Sequence, residues 1–226
     1  MSQAAIPPAL FSFPNQALVS RVVPKSKIYE HGPVNTALRD KFVRQVEQIT
    51  WAYKLAPETI NLPARGSVPE IQVFEITQKT AELDEEVLRA IDRAISLPII
   101  FELHYEQRTR MVAAFKRPSE ADASRWVLSD YFATTWLPSD IERTSMPLAL
   151  DLGGLYEQVL QRLIPTPARP QEGLSDLVAR VELIAAKQRE VEKTASKLAK
   201  ERQFNRKVEI NATMRQLKTE LEQLSR

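Results

Sequence analysis

Two apolar segments of this chain, EIQVFEI (70–76) and IIFELHY (99–105), determine which fold the sequence can adopt. Both are rich in β-branched and aromatic residues and have the length of a strand. Between them, Leu83, Val87, Leu88, Ile91 and Ile95 recur at helical spacing. Strand, helix and strand within about thirty-five residues make a βαβ unit, so we expect two parallel strands joined by a right-handed crossover.

The flanking sequence extends this unit into a mixed α/β domain. A polar turn at 106–110 leads into a third strand at 111–117, and this hairpin makes the sheet mixed. A further strand is expected over 127–136. Helices are predicted where apolar residues repeat at helical spacing. Their apolar positions are Leu38, Phe42, Val46, Ile49 and Tyr53 in one helix, and Leu152, Leu155, Val159, Leu160 and Leu163 in the other.

The composition is that of a soluble protein. Hydrophobic residues make up 43% and charged residues 27% of the 226 residues, and the net charge is +2. No apolar run reaches the roughly 18 residues that a membrane-spanning helix needs. The first residues lack the pattern of a signal peptide, and the absence of cysteine fits a reducing compartment. We therefore expect a cytoplasmic protein without a membrane partner.

The last quarter of the chain predicts a helical arm. Pro165, Pro167 and Pro170 mark a linker (165–173), which separates the α/β domain (1–164) from the arm (174–226). After Gly173 the arm contains no proline or glycine and consists mainly of strong helix formers. The arm contains two apolar seams of about three heptads each. The second seam is out of phase with the first, and the break between them lies at 202–207. This pattern fits either a coiled coil with a stutter or a helical hairpin.

Basic residues of the arm indicate a nucleic-acid contact. From Gln171 onward the chain has 12 Lys and Arg against 9 Asp and Glu. On one continuous helix, Lys193, Lys197, Lys200 and Lys207 would share a face, with Arg206 beside it. Such a face neutralises phosphates, although charged faces on long helices are more often simply solvated.

Motifs that bind cofactors are absent from the sequence. It contains no GxGxxG, no P-loop and no HExxH, and only five glycines. The two histidines, His31 and His104, are too few for a metal cluster without carboxylates, and we expect both to be structural. The sequence therefore predicts no cofactor and no metal.

One set of charged residues suggests catalysis as an alternative. If the hairpin turn centres on Arg108, Glu102 faces Ala114 and lies diagonally from Lys116, with Glu75 nearby on the parallel strand. Carboxylates and a lysine on a mixed sheet are the layout of metal-dependent PD-(D/E)xK nucleases. However, that motif requires Asp or Glu two residues before the lysine, where this chain has Ala114. A cross-strand charge pair explains Glu102 and Lys116 more simply.

Several phrases distributed along the chain resemble domain-of-unknown-function family 4391. They are VPK (23–25), YE (29–30), WAYKLAPET (51–59), EIQVFEI (70–76), PIIFEL (98–103), FKRP (115–118) and QFNRKVEIN (203–211). The resemblance implies a genomic context rather than a mechanism. Members occur beside helicases and DNA methyltransferases in prokaryotic, restriction-like anti-phage loci, and no catalytic residues of the family can be transferred.

The arm and the resemblance together predict a non-catalytic adaptor subunit of a DNA-targeting defence complex. The arm would bind a helicase or DNA methyltransferase and secondarily touch DNA. The phrase at 203–211 coincides with the break between the seams and is the best docking candidate. The expected partner-binding residues are Phe204, Asn205, Val208, Ile210, Asn211, Met214, Leu217 and Leu221. The alternatives are the metal-dependent nuclease and a homodimeric coiled-coil scaffold.

Overall fold

A computed structural model describes residues 10–119, 121–122 and 125–225 of the chain. The polypeptide divides into two compact units, Met1–Pro165 and Thr166–Arg226. Residues 1–9 of the predicted α/β domain and Arg226 of the predicted arm lie outside the described residues. Within the described part, no helix combines the length and apolar character needed to cross a bilayer.

The first unit contains all the strands and five of the α-helices of the described chain. The strands are β1 (Phe11–Ser12), β2 (Leu18–Val22), β3 (Val46–Leu55), β4 (Ile71–Gln78), β5 (Ile99–Tyr105), β6 (Arg108–Pro118), β7 (Trp126–Ala133), β8 (Leu137–Pro138) and β9 (Thr144–Ser145). The helices are α1 (Lys25–His31), α2 (Thr36–Gln45), α3 (Pro57–Ile60), α4 (Glu85–Ala94) and α5 (Leu152–Leu163). A single 3-10 turn, Asn15–Ala17, precedes β2.

The main sheet is mixed, as predicted. The order of its strands is β2-β3-β4-β5-β6-β7, and β8 pairs with the first residues of β6. Strands β4 and β5 are parallel and connected through α4, which confirms the βαβ unit, whereas β5 and β6 form an antiparallel hairpin. The short β1 and β9 pair with each other in a separate two-stranded sheet.

The helix predicted through Val46, Ile49 and Tyr53 is wrong in its second half. Helix α2 ends at Gln45, and strand β3 follows. The burial pattern in β3 repeats every third residue because two bulges interrupt its pairing with β4, at 46–48 and at 51–53. Each bulge adds a residue and shifts the alternation of the strand, so buried positions recur at a spacing typical of a helix.

The two faces of the sheet carry different side chains. On one face, α4 and α2 pack on an apolar cluster that includes Phe74, Phe101 and Val112. Because strand side chains alternate, Glu75 and Glu102 point to the opposite face. That alternation places charged side chains of adjacent strands side by side within the sheet.

The second unit is a helical hairpin, one of the two arrangements that the arm's pattern allowed. It consists of α6 (Leu174–Lys200) and α7 (Phe204–Ser225). The helices are antiparallel, since Lys187 pairs with Glu220 at 2.9 Å and Arg180 donates to the Leu224 carbonyl at 3.2 Å. Within the short turn 201–203, the Glu201 carboxylate accepts the backbone N–H groups of Arg202 and Gln203 at 2.7 and 2.9 Å.

Candidate functional site

Two glutamates and a histidine meet on one face of the main sheet. Glu75 on β4 and Glu102 on β5 are direct neighbours in the parallel register. His104 lies two residues after Glu102 and therefore on the same face. One ligand atom from each of the three side chains lies within 4.8 Å of the other two. Oxygen and imidazole nitrogen together form a donor set that divalent transition metals accept.

Arg143 neutralises the most deeply buried member of this group. Its guanidinium donates to both carboxylate oxygens of Glu102 at 2.8 Å, and Glu102 is only 1% exposed. The same guanidinium donates to the carbonyl oxygen of Phe11 at 2.8 Å. The hydrogen bond with Glu102 raises the pKa of Arg143 above its usual value. This bidentate pair therefore fixes one carboxylate on the face and joins the segment before β9 to β1.

The ring of His104 is oriented by a chain of hydroxyl groups. Its Nδ1 lies 2.9 Å from Oγ1 of Thr109, which in turn lies 3.1 Å from Oγ of Ser139. The other ring nitrogen, Nε2, is buried without a hydrogen-bond partner among the described residues. It lies 4.0 Å from Oε2 of Glu102, which is too long for a hydrogen bond. One ring nitrogen is thus held, and the other is directed at the carboxylates.

Tyr53 completes the polar surroundings of the two glutamates. It lies on β3, next to the strand that carries Glu75. Burial raises the pKa of its hydroxyl, and the negative charges of Glu75 and Glu102 raise it further. The phenol is therefore neutral at physiological pH and can act only as a hydrogen-bonding group there.

Lys116 does not join the two glutamates, contrary to the nuclease alternative. The hairpin turn lies at 106–107, so Glu102 pairs with Met111 rather than with Ala114. Lys116 points to the α4 side of the sheet, where its Nζ donates to the carbonyl oxygens of Asp92 and Ile95. The predicted register was three residues off at Glu102 because a compact turn replaces the five-residue loop read from the polar run 106–110.

The buried lysine instead stabilises the end of α4. Lys116 Nζ lies 3.4 Å from Oδ1 of Asp92, and the Tyr131 hydroxyl donates to the other oxygen of that carboxylate. Burial lowers the pKa of Lys116 and raises the pKa of Asp92, while the opposite charge of each works against both shifts. Tyr156 on α5 donates to the Ala114 carbonyl and accepts the Lys116 N–H. Lys116 thus has a structural role.

The basic residues predicted to bind nucleic acid are distributed over both helices of the hairpin. Lys193, Lys197 and Lys200 are exposed on α6. Arg206 and Lys207 are exposed on α7, after the chain has reversed its direction. The predicted single face that includes Lys207 is therefore wrong, since its spacing assumed one uninterrupted helix.

The predicted partner-binding residues separate into two groups. Ile210, Met214, Leu217 and Leu221 are half-buried along the hairpin. Phe204 and Val208, one turn apart at the start of α7, remain 77% and 54% exposed. Asn205 is exposed beside them, whereas Asn211 donates its amide to the Lys207 carbonyl at 3.0 Å. Among the predicted partner-binding residues, the large apolar side chains that remain exposed are therefore Phe204 and Val208, at the beginning of α7.

Comparison with known proteins gives one match. A family model described as a domain of unknown function (DUF4391) matches residues 11–221 and so covers both units. The chain belongs to the DUF4391 family. No curated protein and no solved structure matches it.

In this DUF4391 chain, two residues of the polar face were missed by sequence reasoning. His104 was predicted to be structural. However, the alternation of side chains along β5 places it on the same face as Glu102, and this alternation is visible in the sequence. Arg143 lies 41 positions from Glu102 in an irregular segment, and no sequence spacing connects the two. The βαβ unit predicted that Glu75 lies near Glu102, and the structure makes the two residues direct neighbours.

Proposed function

We propose that this DUF4391 chain is a non-catalytic accessory subunit of a prokaryotic DNA-targeting defence complex. In this proposal, the arm binds a helicase or DNA methyltransferase subunit in the cytoplasm. The observation that carries it is the exposed apolar pair Phe204 and Val208 at the tip of the hairpin. The genomic setting of the family that the chain resembles supplies the class of partner.

The energetics of the hairpin tip favour a protein partner. Burying a Phe or Val side chain contributes about 1.5–3 kcal/mol. None of the described residues of α7 is buried, although Phe204 and Val208 lie on the same face of its first turns. A partner with an apolar pocket gains this free energy on binding. The exposed Arg206 and Lys207 beside the pair favour a pocket with an acidic rim.

We infer that the hairpin itself forms an antiparallel coiled coil that holds this tip away from the linker. Its support is the half-buried apolar series on α7, together with the contact between α6 and α7. Lys193, Lys197 and Lys200 on α6 would contact nucleic acid as a second, weaker contribution. Phosphate contacts of this kind give affinity without sequence specificity.

Co-purification from the native host tests the proposal. A tagged wild-type chain is expected to retain the helicase or methyltransferase encoded near it, and the double variant Phe204→Asp, Val208→Asp to lose it. Leu148→Asp is the matched control. Leu148 lies in the first unit and is 94% exposed, so its substitution removes a similar apolar surface outside the arm.

Two outcomes would contradict docking of a partner at the hairpin tip. Retention of the same partner by the double variant would remove the hairpin tip from the interface. If the wild type sediments as a dimer and the double variant sediments as a monomer, the homodimeric scaffold is favoured instead. Both variants should keep the circular dichroism spectrum of the wild type, since the substituted side chains are exposed.

A further inference from the structure

We infer that Glu75, Glu102 and His104 bind a first-row divalent metal ion of the zinc or manganese type. This site lies in the first unit and is independent of the docking function proposed for the arm. Its ligand atoms already lie within 4.8 Å of one another. A tetrahedral site with bonds of about 2.0–2.2 Å needs ligand atoms roughly 3.5 Å apart, so the present separations exceed that requirement by at most about 1.3 Å.

The state of His104 is an independent indication of a ligand. Its Nε2 is buried and has no hydrogen-bond partner among the described residues, and a polar atom in that state loses the energy of hydration without compensation. Its Nδ1 is held by Thr109, which is held by Ser139. Metal-binding histidines are oriented in the same way, by a hydrogen bond at the nitrogen that does not bind the metal.

The Arg143 contact is compatible with an ion at this position. A carboxylate has about four lone-pair sites, and the guanidinium uses one on each oxygen of Glu102. Oε2 of Glu102, which lies 4.0 Å from His104, keeps a free lone pair. Two carboxylates and one guanidinium carry a net charge of −1, so a divalent cation enters a site of complementary charge.

The donor set selects the class of ion. Imidazole suits zinc and other first-row transition ions, whereas magnesium and calcium prefer sites made only of oxygen. Three protein ligands leave at least one coordination position free for water or another small ligand. The geometry thus points to an open site rather than to a closed structural one.

Calorimetric titration of untagged, chelator-treated full-length protein tests this inference. Zn²⁺, and separately Mn²⁺, should bind with a stoichiometry of one, and Mg²⁺ and Ca²⁺ should not compete. Thr109→Val should weaken binding by about 10–100-fold, because it releases the ring of His104. Thr109→Ser should retain the affinity, since its hydroxyl can hold Nδ1.

Ligand variants decide the location of the ion. His104→Gln and Glu75→Gln should each weaken binding at least as much as Thr109→Val. His31→Gln is the matched control, because it removes the other histidine of the chain and should leave the affinity unchanged. Equal affinity in His104→Gln, the absence of saturable binding, or equally tight Mg²⁺ binding would each overturn the inference. None of these results depends on whether the arm binds a partner.

Discussion

Arg143 donates to both carboxylate oxygens of Glu102 at 2.8 Å, across 41 residues of chain. The pair links β5 in the centre of the sheet to the segment before β9. The Glu102 side chain is 1% exposed, whereas that of Arg143 is 34% exposed, so the guanidinium covers the carboxylate from the solvent side. This relationship makes the polar face of the sheet a structural element in addition to a candidate binding site.

Removal of one partner of this pair should destabilise the protein strongly. Arg143→Met leaves the Glu102 carboxylate without its counter-charge. Because the Arg143 side chain is 34% exposed and water can take up part of its place, we expect a loss of about 1–3 kcal/mol in the free energy of unfolding. Urea denaturation measures this change. The double variant Glu102→Met, Arg143→Met should recover much of the loss, because neither charge of this pair remains.

Arg125→Met is the control for this prediction. Arg125 pairs with Asp122, but its side chain is 81% exposed, so its replacement should change stability by less than about 0.5 kcal/mol. A destabilisation by Arg143→Met no larger than that of the control would contradict the importance of the buried pair.

The Lys116 and Asp92 pair predicts a stability defect that depends on pH. Burial raises the pKa of Asp92 above 3.8, and the positive charge of Lys116 opposes that shift. In Lys116→Met the pKa of Asp92 should rise further. When the pKa of a carboxyl group is higher in the folded than in the unfolded state, its contribution to stability is fully present below the unfolded pKa. This contribution is lost as the pH rises through the folded pKa. The deficit of Lys116→Met relative to wild type should therefore grow from about pH 4 to about pH 7.

Thermal unfolding at these two pH values measures the deficit. Lys79→Met serves as the control, since Lys79 is exposed and its ammonium donates to the Val43 carbonyl. A deficit in Lys116→Met that is constant with pH would mean that Asp92 does not respond to the lysine charge.

The second unit contains another pH-dependent pair, at the base of the hairpin. Arg180 donates to both carboxylate oxygens of Glu172 at 2.6 and 2.7 Å, and this lowers the pKa of Glu172 to about 2. Because the folded pKa lies below the ordinary value of 4.5, the stabilisation is complete above pH 4.5 and is lost as pH falls toward 2.

Helix content followed by circular dichroism during heating tests this prediction. Relative to the wild type, Glu172→Gln should lower the stability of the hairpin at about pH 6. The difference between variant and wild type should be much smaller near pH 2.5. The exposed Glu192→Gln is the control and should follow the wild type at both values. A Glu172→Gln effect of equal size at both values would contradict the charge pairing.

The basic face of α6 predicts a salt-dependent contribution to DNA binding. Replacing Lys193, Lys197 and Lys200 by Glu should weaken binding of duplex DNA for all sequences alike. It should also reduce the salt slope by about 1 for each phosphate that the protein no longer neutralises. Fluorescence anisotropy across a range of salt concentrations measures both effects. Lys218→Glu on α7 is the control. Unchanged affinity in the triple variant would remove α6 from nucleic-acid binding.

The sequence predicted the centre of the sheet well because β4, α4 and β5 obey local rules. Strand β5 was predicted over 99–105 and is Ile99–Tyr105 in the structure. Parallel pairing brings Glu75 and Glu102 onto adjacent strands, and the register of the structure makes them direct neighbours. These features depend on residue type and on period, which are visible in the chain itself.

Other features depend on interactions that a sequence period does not encode. The bulges of β3 produced a burial pattern that resembles a helix, and only its pairing with β4 distinguishes the two. The two-residue turn at 106–107 could not be read from a polar run of five residues. Arg143 reaches Glu102 from an irregular segment, where no periodicity constrains its position.

The arm showed a similar limit. Its composition predicted helix, and α6 and α7 are helical, but a reversal without proline or glycine left no compositional mark. The Glu201 carboxylate accepts two backbone N–H groups within the turn, an interaction that follows from no sequence period. Lys207 therefore belongs to a different helix from Lys193, although their spacing would place them on one face of a single helix.

Hydrogen exchange of the arm in the intact complex, compared with the free chain, tests the docking proposal most directly. We predict that amide exchange slows most at 201–211, around Phe204 and Val208, while the base of the hairpin near Arg180 changes little. Exchange at 201–211 that is the same in the complex and in the free chain, with slowing confined to the first unit, would contradict the account.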